Sequence, residues 1–364
     1  MHYIWQNTLW PNFVYDKQSV NDALKVYNSK KDYILSLLSF VGDSFYLDIN
    51  ARRITDNIVN DLLIENEKIN VDSVLSSVSK HLNLEFRVSL KSDKHAQSIT
   101  EMVFDAIENK ETLTAERLCL WNKKLFTYAV GLKPKKIGAF REGREFIIHK
   151  EGKNQEILYE AVPVNEVEGQ VKNLLSYINT KTEEPELVKA SIASLYFVLI
   201  HPFEDGNGRI ARAIFDYCSA NKAYPFCTMS SMILKKRKEY YSILESISTS
   251  DSMDVTKWIV WCIDTAIEAY NDMTVDIFST IRLSRFMASL DPSEFNSREI
   301  SMLYKLSSGS FFGKLTTDKW AKMNKCSTAA ALRDIGHLVD KGFLISDEES
   351  GPKHGYFLKP DLSV

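Results

Sequence analysis

The stretch Ile192–Cys218, IASLYFVLIHPFEDGNGRIARAIFDYC, sets the reading of the whole chain. Before His201, Ile192, Leu195, Tyr196 and Leu199 recur as one face of a helix. After Gly208, Ile210, Ala213, Ile214, Tyr217 and Cys218 do the same. The residues between are therefore a loop joining two helices. Gly206 and Gly208 permit positive φ and close approach of a ligand, and the free N–H groups of Gly206, Asn207 and Gly208 stand at a helix N-terminus. Backbone of that kind, with the helix dipole behind it, binds anions. Arg209 and Arg212 lie three residues apart, so both guanidinium groups can reach neighbouring phosphates. Asp205 can hold a divalent cation against the same phosphates, and the His201 imidazole can take a proton near neutral pH. Together these groups describe a phosphate-transfer site.

Two plainer readings fail. Gly206-x-Gly208-x-x-Ala211 matches the dinucleotide fingerprint, with Leu195–Ile200 as its strand. Yet Pro202 and the charged pair Glu204-Asp205 separate the apolar run from the glycines, and no partner strands surround it at βαβ spacing. A structural Asn-Gly turn capped by a histidine leaves the two arginines beyond it unexplained.

Working outward, the 364 residues contain only 14 Gly and 9 Pro, which favours helices. Helical spacing covers 21–43, 54–67, a stretch opened by the candidate cap Asp72, 99–108, 114–130, 165–179 behind Asn165, 186–200 behind Pro185, and 254–290. Between them, Glu145–His149 and Glu156–Tyr159 flank the turn-rich EGKN and predict a β-hairpin. Asp291-Pro292-Ser293 marks a boundary. Beyond it come helix 297–307, helix Thr317–Met323, a helix from cap Ser327 to Gly342, and the hairpin FLIS/YFLK, the order of a winged helix. The fold class expected is mainly α with a hairpin flap and a C-terminal α+β module, in domains 1–98, 99–290 and 291–364.

Composition narrows the class. Hydrophobic residues at 45%, charged residues at 26% and a net charge of −3 exclude wholesale disorder and a dedicated nucleic-acid coat. The longest apolar runs, Leu195–Ile200 and Trp258–Ile263, are six residues each, against the ~20 a membrane span needs. The five cysteines, Cys119, Cys218, Cys227, Cys262 and Cys326, are odd in number and scattered. A cytoplasmic protein is expected.

The run H-P-F-x-D-G-N-G-R-x-x-R at 201–212 resembles the signature of the Fic family at all nine fixed positions. The resemblance implies a mostly helical enzyme that transfers AMP from ATP to a hydroxyl of a protein. It makes His201 the general base, and Gly206, Asn207, Gly208, Arg209 and Arg212 the phosphate-holding residues. Asp205 becomes the ligand of Mg²⁺, the implied cofactor. The hairpin at 144–163 resembles the target-aligning flap, with Ile147, Ile148 and His149 on its pairing edge. Arg237-Lys238-Glu239-Tyr240-Tyr241 resembles the segment near the base, which assigns Tyr240 and Tyr241 to the nucleotide. The flanking regions are similar to those of a bacterial subgroup.

Many Fic proteins restrain themselves through a helix bearing S/T-x-x-x-E-G/N. Asp61-Leu62-Leu63-Ile64-Glu65-Asn66, followed by Glu67, is the match here, with Asp61 where Ser or Thr is usual. It implies that Glu65, on the helix at 54–67, forms an inhibitory ion pair with Arg212. The same glutamate can instead position a water for removal of AMP, and the sequence leaves this direction open. The partners implied are ATP and a protein target, the chain itself included; a homodimer is left open and no membrane is expected. For the terminal module, Arg333 and His337 on the candidate recognition helix are offset by Asp334 and Asp340, and the wing adds Asp347, Glu348 and Glu349. That pattern favours a protein contact over DNA. The rival class is a nucleotide-responsive DNA-binding regulator.

Overall fold

The computed structural model describes residues 2–39, 43–84, 93–109, 111–129, 131, 133–151, 154–219, 229–307, 311, 314–347 and 354–359. Cys227, Glu348, Glu349 and the hairpin tip at 152–153 lie outside the described residues, and for Ile148 and His149 the description is of the backbone. By internal contacts the chain divides into two compact units, Met1–Ser36 with Tyr46–Asp272, and Leu37–Phe45 with Met273–Val364.

The N-terminal helices are α1 (Lys17–Leu38), α2 (Asp43–Ile64), α3 (Val71–His81), α4 (Lys94–Glu108) and α5 (Ala115–Phe126). Short polar side chains start three of them: Asn70, Asp93 and Thr114 accept the backbone N–H of Ser73, Ala96 and Arg117 at 2.8, 2.7 and 3.2 Å. The cap of α3 is thus Asn70 and not Asp72, which sits in the first turn, where its charge complements the dipole. A break in the chain's direction at Leu62–Glu67 ends α2, with Asn66 at φ 61° and Glu67 N–H reaching back to Leu62 O at 2.9 Å.

The hairpin pairs β1 (Phe146–Glu151) with β2 (Asn154–Glu160), antiparallel. Its register slips between Ile147, opposite Tyr159, and Ile148, opposite Ile157. Next, Asn165 proves to lie in a 3-10 turn, Val164–Glu166, and does not cap α6 (Val167–Asn179). Two helices then carry the signature. α7 (Glu186–Ile200) is apolar nearly all round and is buried on almost every side, as such a helix must be. α8 (Asn207–Ser219) follows its short loop and packs along it. The short α9 (Ser230–Lys235), α10 (Arg237–Ser248) and α11 (Thr256–Ala288) complete the surroundings. Trp258 of α11 donates its ring N–H to Ser191 O of α7 at 2.7 Å and stacks 5.7 Å from Trp261.

In the second unit, α12 (Ser297–Ser307), α13 (Thr317–Asn324) and α14 (Thr328–Asp340) precede β3 (Leu344–Ser346) and β4 (Tyr356–Leu358), an antiparallel pair that Leu315 extends by one bridge to Tyr356. Ser327 caps α14 by accepting Ala330 N–H at 3.2 Å, and Gly342, at φ 77°, follows its end. Met302, Leu303, Trp320, Ile335 and Leu338 form the core. Asp334 is not a surface charge: it is buried and accepts from Arg298 Nε at 2.7 Å, Asn296 at 2.9 Å and Trp320 Nε1 at 3.2 Å. His337 is likewise held, its Nδ1 2.8 Å from the buried Glu299 carboxylate.

Candidate active site

His201 is the residue on which α7 ends. It takes the left-handed conformation, φ 51° and ψ 60°, which a non-glycine residue adopts only where its surroundings hold it there. Its Nδ1 lies 3.2 Å from Val198 O. A carbonyl only accepts, so the neutral ring carries its proton on Nδ1 and leaves Nε2 bare. Burial, reinforced by the positive charge of Arg141, takes the imidazole down to about 4, so the ring is neutral at pH 7.

The loop after His201 is held from within and from behind. Asn207 accepts Phe203 N–H at 3.0 Å and donates to Phe203 O at 2.8 Å. Its side chain therefore closes the loop on itself, and what it offers a ligand is its backbone N–H. Gly206 stands at φ 86°, and a Cβ there would come within 2.9 Å of the Phe126 ring, so both the conformation and the space require glycine. Asn122 of α5, fully buried, donates to Asp205 O at 3.0 Å and accepts Gly138 N–H at 2.8 Å. Glu204 receives the backbone N–H groups of Lys135 and Lys136 at 2.8 and 3.1 Å.

Both signature arginines are met by carboxylates from the end of α2 and the turn after it. Arg212 donates its Nε to Asp61 and its second nitrogen to Glu65 Oε1 at 2.9 Å. Its remaining terminal nitrogen, Nη1, is buried and has no hydrogen-bond partner among the described residues. The Glu65 carboxylate lies in the anion cradle itself: a Cβ on Gly208 would be 2.6 Å from Glu65 Oε1 and 3.2 Å from Arg212 Nη1. Burial works to raise the Glu65 carboxyl, but Arg212, Arg209 and Arg237 outweigh it and hold it below the usual range. Arg209, 1% exposed, reaches both oxygens of Glu67 at 2.9 and 2.8 Å and lies 4.8 Å over the Phe126 ring.

These groups border one cavity of about 860 Å³, large enough for a nucleotide. His201, Asp205–Gly208, Arg212 and Glu65 line it, together with Arg237, Tyr241 and Glu245. Tyr240 lies beneath, packed 5.6 Å from the Trp261 ring, whereas Tyr241 is 40% exposed and brings its hydroxyl within 3.4 Å of Glu65 Oε2. Ile147 of β1 borders the cavity as well. Asp205 keeps its side chain half exposed, and among the described residues no cluster of three His, Cys, Asp or Glu can hold a metal unaided. One carboxylate beside a phosphate cradle fits Mg²⁺, which completes its shell with phosphate oxygens and water.

Some of this was not readable from spacing. Asn122 carries a signal, a polar residue on the apolar stripe Leu118, Trp121 and Leu125, where a buried hydrogen-bonding group is expected. Arg141 carries none. It is 3% exposed and donates Nε to His201 O at 2.8 Å, Nη1 to Gly143 O at 2.7 Å and Nη2 to Val162 O at 2.6 Å.

Comparison with known proteins agrees with this geometry. Residues 112–219 match the model of the Fic/DOC family, and residues 3–84 match one described as a domain of unknown function (DUF4172). A stretch of 104 residues is 29% identical to protein adenylyltransferase fic-1 of Caenorhabditis elegans, covering 28% of this chain and 20% of that protein. Another, of 93 residues, is 27% identical to protein adenylyltransferase Fic of Nematostella vectensis, covering 24% and 21%. The chain thus matches only about a fifth of the length of these relatives. In fold it is similar to a Fic family protein from Desulfovibrio desulfuricans G20, with a TM-score of 0.56 at 16% identity over 95% of this chain and 98% of that one. A Fic domain containing signaling protein from Bacteroides thetaiotaomicron VPI-5482 gives 0.50 at 15% over 72% and 96%.

Proposed function

We propose that this chain, which carries a Fic domain at residues 112–219, transfers AMP from ATP to a Ser, Thr or Tyr hydroxyl of a protein, itself included, and is restrained by Glu65. The observation that carries the reading is a carboxylate seated in an anion cradle. Glu65 lies against Gly208 and pairs with Arg212, where the phosphates of a nucleotide belong.

In the transfer step, His201 Nε2 accepts the proton of the target hydroxyl, worth ~10²–10⁴ in rate. The target oxygen forms a bond to the α-phosphorus, the bond from that phosphorus to the bridging oxygen breaks, and pyrophosphate leaves. Backbone N–H groups at the start of α8 and the unpartnered Arg212 Nη1 support this reading, being donors placed for the charge that develops. Asp205 would hold Mg²⁺, which neutralises phosphate charge. The hairpin edge at Ile147–His149 is available to an extended target segment as an added strand.

The terminal module is proposed as a winged helix that contacts protein. Of the charged side chains on α14, Asp334 and His337 are engaged internally, which leaves Arg333 and Asp340 exposed, one charge of each sign and no basic face for a phosphate backbone.

Mass spectrometry of the purified chain after ATP and Mg²⁺ tests the reading. Added AMP on the parent or on Glu65→Gly, absent in His201→Ala, supports it. Absence of label on every form and every offered protein overturns it. Release of AMP from a pre-modified target by the parent would instead assign the reverse direction.

A further inference from the structure

Arg141 is a buried guanidinium whose side-chain donors meet no carboxylate, Glu145 acting on it only from beyond ion-pair distance. Among the described residues no Asp or Glu lies within ion-pair distance of it, and its donors all go to backbone carbonyls. Burying an unpaired charge is unfavourable, so the arrangement needs a reason beyond packing. Its partners give one. His201 O and, at 3.5 Å, Ile200 O are carbonyls at the C-terminal end of α7, which has no helical donors left for them and which favours a cation. Gly143 O and Val162 O lie just outside the two strands of the hairpin, one before β1 and one after β2. The Arg141 backbone N–H adds a fifth contact, to Pro202 O at 2.9 Å. One side chain thus joins the turn that aims the imidazole to both roots of the flap.

We propose that Arg141 is the positioning residue of the His201 base, locking its left-handed backbone to the roots of the hairpin so that flap and imidazole are set as one unit. The proposal rests on the AMP-transfer reading for its consequence in rate, but not for its geometry. Lysine does not reproduce the fork: its three N–H donors radiate from one nitrogen, whereas Arg141 reaches the three carbonyls from three separate nitrogens. The cation also faces the imidazole. The charged groups around that ring are Arg141, which disfavours its protonation, and Asp205 and Glu65, which favour it. Taking Arg141 away leaves the two carboxylates as the charges acting on the ring, with its burial and the Val198 hydrogen bond still in place.

The test uses the full chain with ring-labelled histidine and reads His201 by NMR titration, assigned by its loss in His201→Ala. Arg141→Lys and Arg141→Met are compared with the parent, alongside binding of a fluorescent ATP analogue and self-labelling rates in the Glu65→Gly form. In the parent, the midpoint of His201 should lie at about 4. In Arg141→Met its midpoint should rise, labelling at pH 7 should fall about 10-fold or more, and nucleotide affinity should stay within about twofold. Arg141→Lys keeps the charge and loses the fork, so labelling should fall while the midpoint moves less. A folded Arg141→Lys that labels like the parent overturns the proposal, as does a folded Arg141→Met with an unmoved midpoint. Should Arg141→Met not fold, Arg141→Lys decides alone. Should no form label at all while the midpoint moves, the positioning stands and the AMP-transfer reading is what fails.

Discussion

Asp61 and Arg212, 151 residues apart, meet side chain to side chain, the carboxylate of one receiving the Nε–H of the other. The Asp61 carbonyl adds a contact to Arg212 Nη2 at 3.3 Å. Three different environments therefore divide one guanidinium: Asp61 takes its inner edge, Glu65 shares Nη2, and Nη1 is left without a hydrogen-bond partner among the described residues. Because Asp61 holds the inner edge on its own, Glu65 can withdraw without Arg212 losing its orientation. A serine or threonine at position 61 would lack that charge.

Asp61→Ala leaves a buried arginine short of its main counter-charge. Removing one partner of such a pair costs ~3–5 kcal/mol, a fall of about 6–20 °C in melting temperature for a unit of this size. Differential scanning calorimetry of parent and variant checks it, and an unchanged transition would show that the pair contributes nothing.

Glu65→Gly removes the carboxylate from the cradle and leaves Arg212 anchored by Asp61. A charge-assisted hydrogen bond is worth ~1.5–3 kcal/mol, so ATP-dependent self-labelling should rise about tenfold to a hundredfold. Radiolabel incorporation over time measures it. Equal rates in the two proteins would refute the restraint.

His201 sets a pH window. Its ring is at about 4 in the folded chain, below the ~6.5 of an unfolded histidine. The unfolded state then binds the proton more readily, so this contribution to stability is complete above about pH 6.5 and is lost as pH falls toward 4. Melting temperatures of the parent and His201→Asn should converge over that interval. The acid limb of labelling should likewise lie near 4 rather than 6.5.

Gly206→Ala places a methyl 2.9 Å from the Phe126 ring on a residue at φ 86°. Strain of this kind costs ~1–3 kcal/mol and distorts the cradle, so ATP affinity and melting temperature should fall together. Isothermal titration with Gly143→Ala as control, where a Cβ meets nothing within 4 Å, separates the local effect from a general one.

Much of the site was legible in the chain because it is local. The loop from His201 to Arg212, its two flanking helices and the hairpin are each written within a few dozen consecutive residues, as are the Ser327 cap and Gly342. Periodicity, caps and glycine positions act over a turn or two, so they can be read in order. The cap of α3, expected at Asp72, is Asn70, since the choice depends on which backbone N–H each side chain reaches.

The sequence by itself located the loop at 201–212 and, through the resemblance, named Glu65 as the partner of Arg212, a pair the structure places at 2.9 Å. Only the tertiary structure decided what surrounds that chemistry. It turned Asp61 from a departure into a second carboxylate on Arg212, set Glu67 on Arg209, closed the Asn207 side chain onto Phe203, and brought Arg141 and Asn122 to the back of the loop. The physical reason is separation along the chain. Asp61, Glu67, Asn122 and Arg141 lie 60 to 151 residues from the groups they hold. A buried hydrogen bond between such distant groups leaves no period in the sequence, because it exists only once folding has removed water from both.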